Sequence, residues 1–159
     1  MQQKLFDVQF SASGICVGRL RNEVTVEAHS PFKSVNMLAT DEGHFQGGDG
    51  TAPTPLEYFL TGLVGCLMTQ VRVFSKKMKI PIDDLEVRCD ATWEGVESQN
   101  GPYAGVPTGF RVEIDIRSSE SNESIEMLIQ AARLGCFVEQ TLSRKNELDY
   151  SLRINGAVS

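Results

Sequence analysis

Residues 53–79 read PTPLEYFLTGLVGCLMTQVRVFSKKMK, and this stretch decides the fold. Apolar residues fall at Leu56, Phe59, Leu60, Leu63, Val64, Leu67, Met68, Val71, Phe74 and Met78, which is helical spacing. Between Tyr58 and Met68 the apolar band is wider than one stripe, as in a helix buried in a core or an interface. At 1.5 Å per residue it would run roughly 39 Å, the width of a small domain. Thr54 is placed to be its N-cap, with Pro55 at the first helical position and Glu57 in the first turn, where a carboxylate suits the helix dipole. Gly62 and Gly65 each cost a helix about 1 kcal/mol relative to alanine. Their presence beside Cys66 suggests that something approaches the backbone closely, as Gly135 does beside Cys136.

Working outward, residues 41–54 form a Gly- and Pro-rich loop that delivers the chain to the helix. The N-terminal residues 1–40 read as strands. Alternation is clearest in Leu5–Phe10 and Val24–Glu27, with a turn at Arg21-Asn22-Glu23 and a third strand over Ser34–Leu38. The central helix covers residues 55–79 and ends before Ile80-Pro81. A strand pair follows over residues 85–117, joined by a long loop across Glu94–Gly109. The polar break Ser118–Ser124 offers N-caps for a second helix over residues 124–144. An alternating strand, residues 148–154, closes the chain. This order predicts one α+β domain over residues 1–159, with antiparallel sheets around two long central helices.

Composition excludes several functions. The 159-residue chain carries a net charge of −6 and no Lys/Arg-rich run, which argues against nucleic acid as a partner. The N-terminus MQQKLFDVQF lacks a basic segment followed by an apolar run, so no signal peptide is expected. Glu57, Thr61, Thr69, Gln70 and Arg72 interrupt the central helix, which argues against a membrane span. The chain reads as cytoplasmic, where a stable structural disulfide is not expected.

That leaves the four cysteines, at positions 16, 66, 89 and 136, as buried thiols, ligands or redox groups. Cys16 and Cys89 lie in strand patterns and read as small apolar residues. Cys66 and Cys136 each follow a glycine within a long apolar helix, where a packed thiol is the ordinary reading. No C-x-x-C occurs, and His29 and His44 stand alone, so neither a metal site nor a Cys-His or Ser-His-Asp site is indicated. For Glu57 the ordinary role is a dipole partner in the first turn, and for Arg21 a solvated turn residue.

Two longer motifs change the weighting. Residues Gly47-Gly48-Asp49-Gly50-Thr51-Ala52-Pro53-Thr54-Pro55-Leu56-Glu57-Tyr58-Phe59-Leu60 precede Gly65-Cys66, and Cys136-Phe137-Val138-Glu139-Gln140-Thr141-Leu142 lies on the second helix. Together, over nearly the whole chain, they resemble the OsmC/Ohr family of osmotically inducible and organic hydroperoxide resistance proteins. Phe137 stands where a proline is commoner after the second cysteine, and His44-Phe45 stands where OsmC itself has Arg-Phe. The chain is therefore similar to a divergent OsmC-like branch.

The resemblance implies an intertwined homodimer and thiol-dependent reduction of organic hydroperoxides to alcohols. Cys66 would be the peroxidatic thiol and Cys136 the resolving one, closing a Cys66–Cys136 disulfide. Arg21, with Arg19 close by, would supply the activating charge, and Glu57 would orient that guanidinium. An external dithiol of the lipoyl type or another kind would reopen the disulfide, and no cofactor or metal is implied. Leu63, Leu67 and Phe137 would give the site an apolar lining. The alternative is a non-catalytic dimer that binds a small apolar ligand, with the cysteines as packed or redox-sensing thiols. One geometric tension stands: nine residues at 100° put Glu57 and Cys66 on opposite faces of a straight helix. Either Glu57 precedes the regular helix or it serves the other subunit.

Overall fold

The structure is a computed structural model of the chain and describes residues 3–155 and 157–158. The elements are β1 (Gln9–Cys16), β2 (Asn22–Ser30), β3 (Ser34–Thr40), α1 (Pro55–Met78), β4 (Asp84–Ser98), β5 (Gly101–Arg117), α2 (Asn122–Gly135), α3 (Phe137–Leu142), β6 (Arg153–Ile154) and β7 (Ala157–Val158). All strand pairing is antiparallel: a meander β1-β2-β3, the hairpin β4-β5 and the short pair β6-β7. The chain is thus α+β, as the element order predicts. It divides into two compact units, Met1–Thr61 and Gly62–Ser159, with the boundary inside α1.

In the first unit, β1 starts four residues later than the alternation suggests and runs on to Cys16, paired as Phe10↔Ala28 and Gly14↔Val24. Asn22 and Glu23, read as a turn, already belong to β2, opposite Cys16 and Ile15. The turn lies one step earlier and is closed by Val17 N–H donating to the Arg21 carbonyl at 3.0 Å. Period-two pleating puts Phe10, Ala12, Val24, Val26, Ala28 and Leu38 on one face of the meander.

In the second unit, α1 and α2 pack with the hairpin. Leu67, Val71, Ile80, Leu128, Ala132 and Cys136 form the buried cluster. The facing pairs Leu85↔Ile116 and Val87↔Ile114 of β4 and β5 close against it. α1 is long and apolar enough, by length and composition alone, to cross a membrane. Its Leu63, Leu67, Val71 and Ser75 are nevertheless buried against protein.

Three expectations need correction here. The long loop over Glu94–Gly109 is strand: β4 reaches Ser98 and β5 restarts at Gly101 around the turn Gln99-Asn100. Pro107 fits because the register shifts between Thr92 and Trp93, where an added residue relieves the ladder. The second helix is not continuous over residues 124–144. α2 stops at Gly135, Cys136 takes an extended conformation (φ −78°, ψ 103°), and α3 begins at Phe137. The closing strand over residues 148–154 shrinks to the two residues of β6.

Candidate active site

Helix α1 starts as the sequence predicts. The Glu57 N–H donates to Thr54 Oγ1 at 3.3 Å, while Glu57 Oε2 accepts the Thr54 N–H at 2.6 Å and its hydroxyl at 2.8 Å. This is a reciprocal capping box, which satisfies donors that the helix start would otherwise leave free. The same two Thr54 donors, backbone first, hold the Glu57 carboxyl below its usual value. Glu57 lies in the first turn of the regular helix, which removes the option that it precedes it.

Arg21 does not meet Glu57. Its Nη1 donates to Thr51 Oγ1 at 2.9 Å and to the Thr51 carbonyl at 3.2 Å. Each charge is held by a threonine, and among the described residues no ion pair joins them. Arg19 is exposed.

The two cysteines named on the helices are brought together. Both are free thiols: Cys66 is half-buried on α1, Cys136 is fully buried, and Cys66 packs against the core cluster that includes Cys136. The Cys66 thiol is among the groups that raise the Cys136 thiol. Cys136 is not in mid-helix, as its motif suggests, but is the joint between two helices. It closes α2 with its N–H on the Arg133 carbonyl at 3.2 Å and opens α3 by accepting the Glu139 N–H on Sγ at 3.4 Å. Arg133 Nε on Glu139 Oε1 at 2.8 Å and Gln140 Nε2 on the Arg133 carbonyl at 3.1 Å tie the two helices across the joint. Burial pushes the Cys136 thiol up to about 11, with the Glu139 N–H pulling the other way. Cys136 therefore stays protonated at neutral pH and is a poor first nucleophile.

The small residues divide. A Cβ at Gly135 would lie 2.7 Å from Phe74 Cζ and 3.1 Å from its Cε2, so this glycine does permit a close approach of α2 to α1. At Gly62 and Gly65 a Cβ would meet nothing within 4 Å, so the close approach expected there is not made among the described residues. Leu63 and Leu67 are 3% and 2% exposed and belong to the interior, while Phe137 is half exposed. Cys16 is exposed and Cys89 half-buried, and the described residues contain no His/Cys/Asp/Glu group able to hold a metal.

One residue that the sequence reading passed over is Asp41, which is 1% exposed and opens the loop to α1. Its position, an acidic residue directly before a glycine-rich run, is a signal for a side chain that binds the loop's own amides.

Comparison with known proteins agrees with this layout. The model of the OsmC-like protein family matches residues 48–151. An OsmC-like hydroperoxide resistance protein from Jannaschia sp. CCS1 is 38% identical, with a TM-score of 0.63 over 95% of this chain and 96% of that one. An organic hydroperoxide resistance protein OsmC from Legionella pneumophila is 19% identical over 88% and 91% of the two chains (TM-score 0.57) and shares the fold. An OsmC-like protein from Mycoplasma pneumoniae shares it at 17% identity and a TM-score of 0.58, over 89% of each chain. No curated protein matches the chain. With most of its length matched by the family model and more than a third of its residues shared with a hydroperoxide resistance protein, the chain belongs to the OsmC-like family.

Proposed function

We propose that this chain is a cytoplasmic thiol peroxidase that reduces organic hydroperoxides to alcohols, with residues 1–159 acting as one domain of a homodimer. The observation that carries the reading is the packing of a reachable thiol, Cys66, against the core cluster that holds a buried thiol, Cys136, at a helix joint. The two environments assign two roles. Cys66, as the thiolate, attacks the distal peroxide oxygen; the O–O bond breaks, an alcohol leaves with a proton, and Cys66 becomes a sulfenic acid. The Cys136 sulfur then displaces the sulfenic hydroxyl, forming a disulfide and releasing water. An external dithiol, of the lipoyl type or another kind, reopens the disulfide by exchange. Disulfide closure needs Cα atoms within about 7 Å, and the tight contact at Gly135 supports such an approach.

Arg21 supplies the positive charge that favours the Cys66 thiolate. Glu57, half a turn around α1 from Cys66 by helix geometry, serves the site of the partner subunit. Apolar side chains left exposed by the meander, such as Phe10, Ile15, Val35 and Met37, support a partner that covers them.

The test is stopped-flow oxidation of the reduced protein by cumene hydroperoxide, with hydrogen peroxide alongside. Cys66→Ser and Cys136→Ser are run in parallel, and products are read by mass spectrometry. Fast oxidation that is lost in Cys66→Ser, with a persistent sulfenic acid in Cys136→Ser, is the expected result. Thiols that stay reduced in millimolar peroxide would overturn the reading in favour of a dimer that binds an apolar ligand.

A further inference from the structure

The buried carboxylate of Asp41 takes no part in the chemistry above, yet the loop before α1 is built around it. Its Oδ2 accepts the Thr51 N–H at 2.9 Å and the Thr51 hydroxyl at 2.8 Å; its Oδ1 accepts the Glu42 N–H at 2.9 Å. The Asp49 N–H donates to it as well. No cation pairs with it among the described residues, so hydrogen bonds alone offset its desolvation.

The loop adopts conformations that only glycine supplies easily in order to aim these groups. Gly47 and Gly50 have φ of 89° and 64°. A Cβ at Gly48 would lie 2.0 Å from the Glu42 carbonyl oxygen. Further bonds lock the frame: Gly50 N–H to the Glu42 carbonyl at 3.0 Å and Asp41 N–H to the Pro53 carbonyl at 3.2 Å.

The product of this construction is a fixed Thr51. Its hydroxyl proton is committed to Asp41, which turns the oxygen lone pairs outward, and Arg21 Nη1 donates to that oxygen at 2.9 Å. Thr51's carbonyl takes a second bond from the same Nη1. The Thr51 N–H and hydroxyl, as the leading causes, hold the Asp41 carboxyl below its usual value, so it remains an acceptor and the direction of the relay does not reverse at neutral pH.

We propose that Asp41 is a positioning residue for peroxide reduction: through Thr51 it fixes where the Arg21 guanidinium stands. This rests on the reading of Arg21 as the charge that activates Cys66. An arginine is long and flexible, and with no carboxylate partner its position depends on the groups that accept its protons.

The experiment follows the rate and pH profile of iodoacetamide alkylation at Cys66, resolved by mass spectrometry, in the full-length protein. The variants are Arg21→Ala, Asp41→Asn, Thr51→Val and Thr51→Ser. Arg21→Ala is expected to slow alkylation at pH 7 about tenfold, the effect of one nearby opposite charge. Asp41→Asn and Thr51→Val are expected to slow it at least about threefold and to move the profile to higher pH, because the guanidinium keeps only the Thr51 carbonyl or an unfixed hydroxyl as acceptor. Thr51→Ser, which keeps the hydroxyl, is expected to stay within about twofold of the wild type. A purely structural Asp41 would lower stability without moving the pH profile of Cys66. If Arg21→Ala is slow while Asp41→Asn and Thr51→Val match the wild type, the role of Asp41 is overturned and that of Arg21 stands. An unchanged Arg21→Ala overturns both. If circular dichroism shows that Asp41→Asn does not fold, the Thr51→Val and Thr51→Ser pair decides.

Discussion

Replacing Gly135 by alanine sets two known effects against each other, and the structure decides the sign. In a helix the change favours alanine by up to about 1 kcal/mol. That gain is smallest at the last residue of a helix, where Gly135 stands. Against it, the added Cβ would sit 2.7 Å from Phe74 Cζ, where ordinary contact begins at 3.4 Å. The ring or α2 must therefore yield by about 0.7 Å. Phe74 packs against the core cluster and is the rigid end of its side chain, so it cannot simply swing away. Overpacking of this kind costs about 1–3 kcal/mol. The net expectation is a loss of about 1–2 kcal/mol. Urea unfolding at one fixed protein concentration measures it, so that any self-association enters every variant alike. Repeating the substitution in a Phe74→Leu background isolates the contact: with the outer ring atoms gone, Gly135→Ala should become neutral or favourable. An equal cost in both backgrounds, or a more stable single variant, would refute the argument. The same displacement moves Cys136, the next residue, away from Cys66. Under the proposed peroxidase reading, the sulfenic acid on Cys66 should then live several-fold longer before the disulfide closes.

Three further outcomes follow from the same geometry. The Cys136 thiol is raised from 9.0 to about 11 in the folded chain. Below pH 9 both states hold the proton, but between pH 9 and 11 the unfolded state loses it first, so stability falls as pH rises, by at most roughly 3 kcal/mol. Urea midpoints measured under reducing conditions should show that decline in the wild type and a shallower one in Cys136→Ala; parallel slopes would contradict it. Thr54→Ala should cost about 1 kcal/mol through the lost cap, read as a melting temperature lower by about 2–4 °C. Glu57→Gln separates the cap from catalysis. Peroxidase activity lost at nearly full stability gives the carboxylate a chemical role, whereas stability lost alone leaves it a capping group.

What the sequence made legible follows from which forces are local. α1 is recognisable because its apolar spacing repeats over 24 residues and its start is set by three neighbours, Thr54, Pro55 and Glu57. The pairing of Cys66 with Cys136 came from the family's motifs; spacing alone favoured two ordinary packed thiols. The full length of the β4-β5 hairpin is hidden in the sequence because Pro102, Pro107 and four glycines between residues 95 and 109 look like loop chemistry. A two-stranded ribbon with register shifts accommodates them, since each strand has an edge with no partner to lose.

The helix break at Cys136 lay beyond periodicity. Ile125, Leu128, Ile129 and Ala132 continue in phase toward Phe137 and Val138, and Gly135 alone marks a stop. In an unbroken helix the Cys136 N–H and the N–H three residues on would both be consumed by the helix's own ladder. Instead, at the joint, the sulfur takes the place of a capping oxygen for Glu139 and also faces Cys66. Forming a disulfide would redirect that sulfur from the cap to Cys66. The short α3, with only six residues, would then be held by the Arg133–Glu139 pair and by Gln140 on the Arg133 carbonyl. Asp41 is the counterpart within the first unit: a single acidic residue whose partners are four backbone and hydroxyl donors supplied by a loop of ten residues. Its role depends on the three-dimensional closure of that loop, which no periodic pattern encodes. A residue such as Asp41 is set by that closure, whereas Cys66 and Cys136 are singled out in the sequence by the motifs around them and not by their spacing.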